Sequence, residues 1–208
     1  MFLSRVEIPQ ECARNPYEFH RQLWRLFPGE LRESRSNGEE SRQGFLFRVE
    51  EHRPGCPARV LVQSRRAPET VSGLALAGPR EFHPKPVFGQ RLAFLLTANP
   101  VKTITDTEHD AKPGKKSEKC RVPLIREDNQ REWLARKLAG VAEIETVTVA
   151  PHPPLHFRKG NRAGKLATVT YEGVLRVMDA DRLAKLLENG IGPAKAFGCG
   201  LMLVRRLG

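Results

Sequence analysis

The chain has 208 residues, 39% apolar and 28% charged, with 35 lysines and arginines against 24 acids and a formal net charge of +11. That length allows one ordinary domain or two small ones, and the apolar share excludes wholesale disorder. No apolar run approaches the ~20 residues of a membrane span and MFLSRVEIPQ lacks a signal core, so a cytoplasmic protein without membrane contact, with a polyanion such as nucleic acid as partner, is expected.

FLSRVEI (2–8) alternates apolar and polar and reads as a strand. PYEFHRQLWRLF (16–27) reads as a helix with Asn15 as its cap, Pro16 in its first turn, and Phe19, Leu23, Leu26 and Phe27 on one stripe. Residues 32–43 are a polar, exposed loop; GFLFRVEEH (44–52) and ARVLVQS (58–64) are strands joined by RPGCP. No pattern places 67–78, and the prolines of EFHPKPV (81–87) keep that stretch out of a sheet centre. RLAFLLTANPVKT (91–103) reads as one long strand, and 106–119 as a charged loop. EDNQREWLARKLAG (127–140) is a helix with acids first and bases last, which suits its dipole. VAEIETVTVAP (141–151) and LATVTYEGVLRV (166–177) are strands, DADRLAKLLENG (179–190) is a helix stopped by Asn189-Gly190, and LMLV (201–204) closes as a strand. The second half thus reads β–α–β–β–α–β, the ferredoxin-like order, while the first shows no second helix. The expected fold is α+β, two tandem domains with antiparallel sheets, 1–88 and 89–208.

NGIGPAKAFGCGLMLV (189–204) links the last helix to the last strand through Gly190, Gly192, Lys195, Gly198 and Gly200. Walker A and dinucleotide loops need their glycines between a strand and a following helix. Here a helix comes first, Pro193 follows the first glycine pair, and Lys195 precedes the second, so no nucleotide cofactor is expected. Two readings stay open: a tight connection made with positive-φ glycines, or a nest of backbone N–H groups beside Lys195 for a phosphodiester.

On the 16–27 helix, Tyr17, His20 and Trp24 share a quadrant, with Arg21 and Arg25 across the apolar stripe. A histidine at a core edge is ordinarily structural. A phenol one turn earlier and neighbouring arginines make this one a candidate for proton transfer near neutral pH. HFRKGNRAGK (156–165) carries Arg158, Lys159, Arg162 and Lys165, and KPGKKSEKCR (112–121) carries Lys112, Lys115, Lys116, Lys119 and Arg121. Such runs are solvated loops or an RNA or DNA surface. The few aromatics nearby, Tyr17, Trp24, His156 and Phe157, favour a duplex or hairpin backbone over a stacked single strand. Cys12, Cys56, Cys120 and Cys199 are scattered and read as reduced, mostly buried thiols. No G-x-S-x-G or H-E-x-x-H occurs, and Asp106, Glu108 and Asp110 sit in a polar loop rather than in a two-metal cluster, so no metal is expected.

MFLSRVEI (1–8), YEFHRQLWRLFP (17–28), FLFRVE (45–50), LTANPVKT (96–103), KCRVPLI (119–125), YEGVL (171–175) and GIGPAKAFGCGL (190–201) together resemble the CasE family. These are CRISPR repeat-processing endoribonucleases of the Cascade complex. The resemblance runs in order over nearly the whole chain. It implies two ferredoxin-like (RRM-like) domains and a precursor CRISPR RNA whose repeat forms a stem-loop. It implies metal-free cleavage on the 3′ side at the base of that stem, with the mature hairpin retained beside other Cascade subunits. The family's catalytic histidine, before L-W-x-L-F-P, falls on His20, its tyrosine on Tyr17, and its glycine-rich hallmark on 190–200. The basic segment ending in GKLATVTYEG makes Lys165 a third catalytic candidate. The RNA-binding candidates are Arg21, Arg25, Lys102, Lys119, Arg121, Arg158, Lys159, Arg162, Gly190, Gly192, Lys195, Gly198 and Gly200, the loop now read as a phosphate nest. Loops 32–43 and 106–118 match the family least and receive no role.

Such chemistry needs no metal, because the ribose 2′-OH is an internal nucleophile. His20 would take the 2′-OH proton or protonate the leaving 5′-oxygen, Tyr17 would orient the phosphate or the 2′-OH, and Lys165 or Arg21 would offset the developing charge. The products would be a 2′,3′-cyclic (or 3′) phosphate and a 5′-OH. Two competing expectations are a non-catalytic hairpin-RNA-binding subunit, with His20 structural, and a ribosomal or DNA-binding basic protein.

Overall fold

The computed structural model describes residues 1–29, 44–105 and 119–207. The expected loops 32–43 and 106–118, with Lys112, Lys115, Lys116 and the acids Asp106, Glu108 and Asp110, lie outside the described residues. Strand β1 (Phe2–Ile8) alternates as expected: Ser4, Val6 and Ile8 are buried, Arg5 and Glu7 exposed. A single turn, α1 (Gln10–Ala13), leads to α2 (Pro16–Leu23), whose first turn is capped by Asn15. The helix is shorter than the expected 16–27. After Leu23 the chain tightens into a 3₁₀ turn, Trp24–Leu26, closed by the Phe27 N–H on the Trp24 carbonyl at 3.2 Å.

Strands β2 (Phe45–Glu51), β3 (Ala58–Ser64) and β4 (Ala75–Glu81) complete an antiparallel sheet in the order β2-β3-β1-β4. The unplaced 67–78 holds a loop and the start of β4, and among the described residues no helix lies between β3 and β4. That loop is stapled to the end of the α2 region instead: the Glu69 N–H donates to the Leu26 carbonyl at 2.8 Å, and Arg25 Nη2 to the Ser72 carbonyl at 2.7 Å.

The second half runs β5 (Arg91–Ala98), β6 (Val101–Thr105), β7 (Lys119–Pro123), α3 (Glu127–Leu138), β8 (Ala142–Pro151), β9 (Leu155–Lys159), β10 (Arg162–Leu166), β11 (Val169–Val177), α4 (Ala180–Asn189) and β12 (Met202–Arg206). Its main sheet is ordered β12-β5-β11-β8, all antiparallel, the ferredoxin-like order and the same as the first sheet. The expected long strand 91–103 is two strands. Asn99-Pro100 breaks it, Asn99 Nδ2 donates to the Ala167 carbonyl at 2.6 Å, and β6 turns away to pair with β7. The basic run 156–165, expected in a turn-rich connection, is mostly a β-hairpin of β9 and β10, so the expected strand 166–177 begins at Val169.

Each sheet buries one face under helices. Leu92, Phe94, Leu96, Tyr171 and Leu175 meet Trp133, Leu134 and Leu138 of α3 and Leu183 and Leu187 of α4; Val6, Val60 and Val62 meet Phe19, Leu23 and Leu26. The other face of the first sheet meets the end of α4 and the start of the glycine-rich loop at a seam. Gln63, buried, donates its amide to the Leu187 carbonyl at the end of α4 at 2.8 Å, and Arg65 pairs with Glu188 at 2.9 Å. The thiols differ from expectation: Cys199 is buried and Cys12 partly so, but Cys56 and Cys120 are exposed. Among the described residues no helix is long and apolar enough to cross a membrane.

Candidate active site

Tyr17 and His20 owe their position to the start of α2. Asn15 Oδ1 accepts the Tyr17 N–H at 3.2 Å, and Pro16 presets the first helical turn. Trp24, four residues on, donates its indole N–H to His20 Nε2 at 3.2 Å. In the neutral imidazole this bond fixes the tautomer: Nε2 is the acceptor and Nδ1 carries the proton. The His20 ring sits on aromatic side chains of β2, its centroid 5.3 Å from Phe45 and 6.4 Å from Phe47, while Trp24 stands edge-on to Phe45 at 5.1 Å. These contacts restrict the ring to a narrow range of orientations.

Two pieces of the second half reach this helix. The first is the β9–β10 hairpin, whose sequence 155–166 contains no acid. Asn15 bonds both backbone groups of Arg158: Nδ2 donates to the carbonyl at 2.9 Å, and Oδ1 accepts the N–H at 3.3 Å. The register pairs Lys165 with His156 and Ala163 with Arg158, so Lys165 and Arg158, both exposed, share one face of the hairpin. Lys159 pairs with Arg162 beside the turn. On the other face Gly164 lies under Phe157, where a Cβ would run into the ring.

The second piece is the glycine-rich loop. Phe197 lies 4.4 Å from Phe157 and 6.3 Å from Tyr17, ring centre to ring centre, and so joins loop, hairpin and helix. Gly190, Gly192, Gly198 and Gly200 all have positive φ. At Gly190 both backbone and space demand glycine, because a Cβ would come within 2.8 Å of Leu46 on the facing sheet. The amides of Gly190, Ile191, Phe197, Gly198 and Gly200 donate to Leu186, Gly200, Ala194, Lys195 and Thr97 carbonyls, and Lys195 Nζ donates to the Asn189 carbonyl at 2.7 Å. A phosphate nest therefore cannot rest on those five amides. The tight-connection reading, left open on spacing, describes what these bonds do.

The chain matches the family model described as CRISPR associated protein over residues 1–206. It is 37% identical over 202 residues to the CRISPR system Cascade subunit CasE of Escherichia coli K12, covering 97% of this chain and 98% of that protein. The crystal structure of Cas6e from E. coli K-12 superposes with a TM-score of 0.83 at 36% identity, with 100% of both chains covered. The CRISPR endoribonuclease Cse3 bound to 19 nt RNA superposes with a TM-score of 0.76 at 32% identity, covering 99% of this chain and 100% of that one. The chain belongs to the CasE family.

The basic candidates of this CasE-family chain divide by place. Arg158 and Lys165 lie on the hairpin that Asn15 holds. Arg21, beside His20 in sequence, pairs with Glu18 at 3.3 Å. Arg25 is turned to the 65–74 loop, bonded to Gln22 at 2.8 Å and to Ser72, so its role in the fold is structural. Lys102, Lys119 and Arg121 belong to the separate β6–β7 pair, opposite Val122, Thr105 and Thr103. Among the described residues no three His, Cys, Asp or Glu side chains gather as a metal site.

Several residues of the site and seam escaped the sequence reading. Asn15 was legible only as a cap, because its other partner lies 143 positions away. Phe197 carries no local signal beyond being an aromatic among glycines. A polar line across the seam was also invisible: Arg48 Nη1 donates to Thr97 Oγ1 at 2.7 Å, Thr97 meets Thr170 at 2.9 Å, and Thr170 meets His152 Nε2 at 2.7 Å. Burial pulls the Arg48 guanidinium below its ordinary range, and burial followed by the Arg48 charge pulls His152 down. Burial holds the Cys199 thiol up at about 12, so it stays neutral beside Arg48.

Proposed function

We propose that this chain is a metal-independent endoribonuclease that cleaves precursor CRISPR RNA at the 3′ base of the repeat stem-loop. It then keeps the product hairpin as a subunit of a Cascade complex in the cytoplasm. One observation carries the reading: the helix bearing Tyr17 and His20 is bonded at its start to an acid-free basic hairpin. Proton-transfer groups thus lie beside a surface suited to an RNA backbone. The likeness to Cse3 bound to RNA supports the same substrate class. The first domain, residues 1–88, supplies the helix; the second, 89–208, supplies the hairpin and the glycine-rich loop.

In this mechanism the 2′-oxygen upstream of the cut attacks its own phosphorus, the bond to the 5′-oxygen breaks, and a 2′,3′-cyclic phosphate and a 5′-OH leave. His20 either removes the 2′-OH proton, as the neutral ring, or donates to the 5′-oxygen, as the imidazolium. The one acceptor of the neutral Nδ1–H ring, Nε2, is occupied by the Trp24 indole N–H, so the base role requires that bond to open. Tyr17 orients the phosphate, and Lys165 offsets the charge that develops on it. Arg158, Lys159 and Arg162 hold the stem, with Lys102, Lys119 and Arg121 extending the basic surface.

The test is incubation of the protein with its repeat RNA in EDTA. Wild type should cleave, His20→Ala should cleave ~10²–10⁴-fold more slowly while binding the hairpin normally, and a 2′-deoxy nucleotide at the cut should block cleavage. Near-normal cleavage by His20→Ala would sink the assignment. One observation favours a second reading, a non-catalytic hairpin-binding subunit: His20 packs on Phe45 and Phe47 as a structural histidine does. An uncut all-ribose hairpin, tightly bound, is the result that reading requires.

A further inference from the structure

Asn15 makes three bonds with one side chain. Oδ1 accepts the Tyr17 N–H at 3.2 Å and the Arg158 N–H at 3.3 Å, and Nδ2 donates to the Arg158 carbonyl at 2.9 Å. The first bond is an ordinary helix cap. The other two are not. A side-chain amide has the donor and acceptor of a peptide group, and here it pairs with the outer edge of β9 as one rung of a strand would. Helix cap and hairpin therefore share one amide, across 143 positions of sequence and between the two ferredoxin-like units.

We infer that Asn15 is a positioning residue for cleavage: it sets the basic β9–β10 hairpin at a fixed distance from Tyr17 and His20. This rests on the cleavage reading above. The cap bond fixes where α2 begins, and so the direction in which Tyr17, two residues on, and His20, five residues on, project. The edge bonds fix Arg158, which shares its hairpin face with Lys165. RNA gripped by that face is thereby held in register with the proton-transfer groups. The second tie is the Phe157–Phe197–Tyr17 contact, which is apolar and tilted rather than directional. Of the two, the amide supplies register. A displacement of about 1 Å at a reacting centre can cost ~10²-fold in rate, which sets the scale expected.

Three variants separate the bonds. Asn15→Ser keeps a good helix cap but is too short to pair with Arg158. Asn15→Asp keeps both acceptor groups but sets a carboxylate oxygen against the Arg158 carbonyl in place of the donor. Asn15→Ala loses all three. The readouts are the single-turnover cleavage rate of the repeat hairpin in EDTA, the Kd for a 2′-deoxy hairpin that cannot be cut, and the Tm. Asn15→Ser should keep Tm and hairpin Kd near wild type while its cleavage rate falls ~10- to 100-fold. Asn15→Asp should also cleave more slowly than wild type, and it stands in if the serine variant does not fold. Wild-type cleavage by Asn15→Ser, or a loss of rate matched by an equal loss of binding, overturns the role of Asn15 alone. Absence of cleavage by the wild-type protein overturns the parent reading, and this inference with it.

Discussion

The two ferredoxin-like units share one strand order and differ in what covers them. The second sheet lies under two full helices, α3 and α4, and buries the larger of the two hydrophobic clusters. The first lies under α2 and its 3₁₀ turn, with a stapled loop where the other unit has a second helix. Its last strand, β4, is exposed along nearly its whole length, whereas β12 starts buried. The less covered unit is nonetheless the one that carries Tyr17 and His20. The β9–β10 hairpin and the glycine-rich loop, both extensions of the other unit, reach across to contact it. The unit with two helices thus acts as the frame, and the reduced unit presents the helix.

The largest effects should come from the cores and should be asymmetric. The chain has two tryptophans, one in each unit. Trp24→Phe therefore leaves a reporter in the second unit, and Trp133→Phe one in the first. Leu134 of α3 and Leu26 of the 3₁₀ turn are both fully buried, so truncation of either to Ala should cost ~2–5 kcal/mol. In urea, Leu134→Ala should lower the transitions of both reporters, because the frame supports its neighbour. Leu26→Ala should lower the Trp24 transition more than the Trp133 transition. Equal shifts in both reporters from Leu26→Ala would mean that the units unfold as one, and the comparison would fail.

A smaller effect should come from the seam. Gln63 is buried at 3% exposure and satisfies a carbonyl at the end of α4. Gln63→Leu preserves bulk but leaves that carbonyl without its donor, a cost of ~1–3 kcal/mol. The loss falls on the contact between units rather than inside either core. The two tryptophan transitions should therefore separate, with that of Trp24 moving to lower urea. Transitions that stay together would show that Gln63 contributes nothing to the coupling.

The same asymmetry governs what was legible in the sequence. The second unit reads as β–α–β–β–α–β because α3 and α4 each carry an apolar stripe between polar faces, and the strands between them alternate. The missing helix of the first unit left 67–78 without a pattern for a physical reason: a loop tied down by Glu69 and Arg25 has no period. The β9–β10 hairpin was hidden because its two strands are short and rich in basic residues, a composition that a solvated loop shares. Tyr17, His20 and Trp24 were visible as a group, since positions three and four apart meet on a helix. The His20–Trp24 bond follows from that spacing, but the partners that complete the site do not. Arg158 meets Asn15 and Phe197 meets Tyr17 only through the tertiary fold. The glycine-rich loop was legible as punctuation. Its packing against Leu46 of the other unit belongs to the seam, which no local pattern encodes.

The smallest effect should appear in the pH dependence of the seam. His152 closes the line from Arg48 through Thr97 and Thr170, and it is held below the usual histidine value first by burial and then by the Arg48 charge. The sign follows from linkage. A histidine whose folded pKa is lowered binds a proton more readily in the unfolded chain, so its contribution is fully present above its ordinary pKa of 6.5 and is lost as pH falls below it. His152 is only partly buried and remains in reach of water, so the slope should be shallow. His152→Gln keeps a donor for Thr170 and cannot titrate, so its stability should fall less steeply between pH 6.5 and the folded midpoint than that of wild type. Arg48→Met should raise the His152 midpoint, followed by NMR, only part of the way back, because burial is the larger cause. A full return would make the charge across the seam dominant. No return would mean that Arg48 and His152 do not sense one another, and that the polar line is two separate contacts.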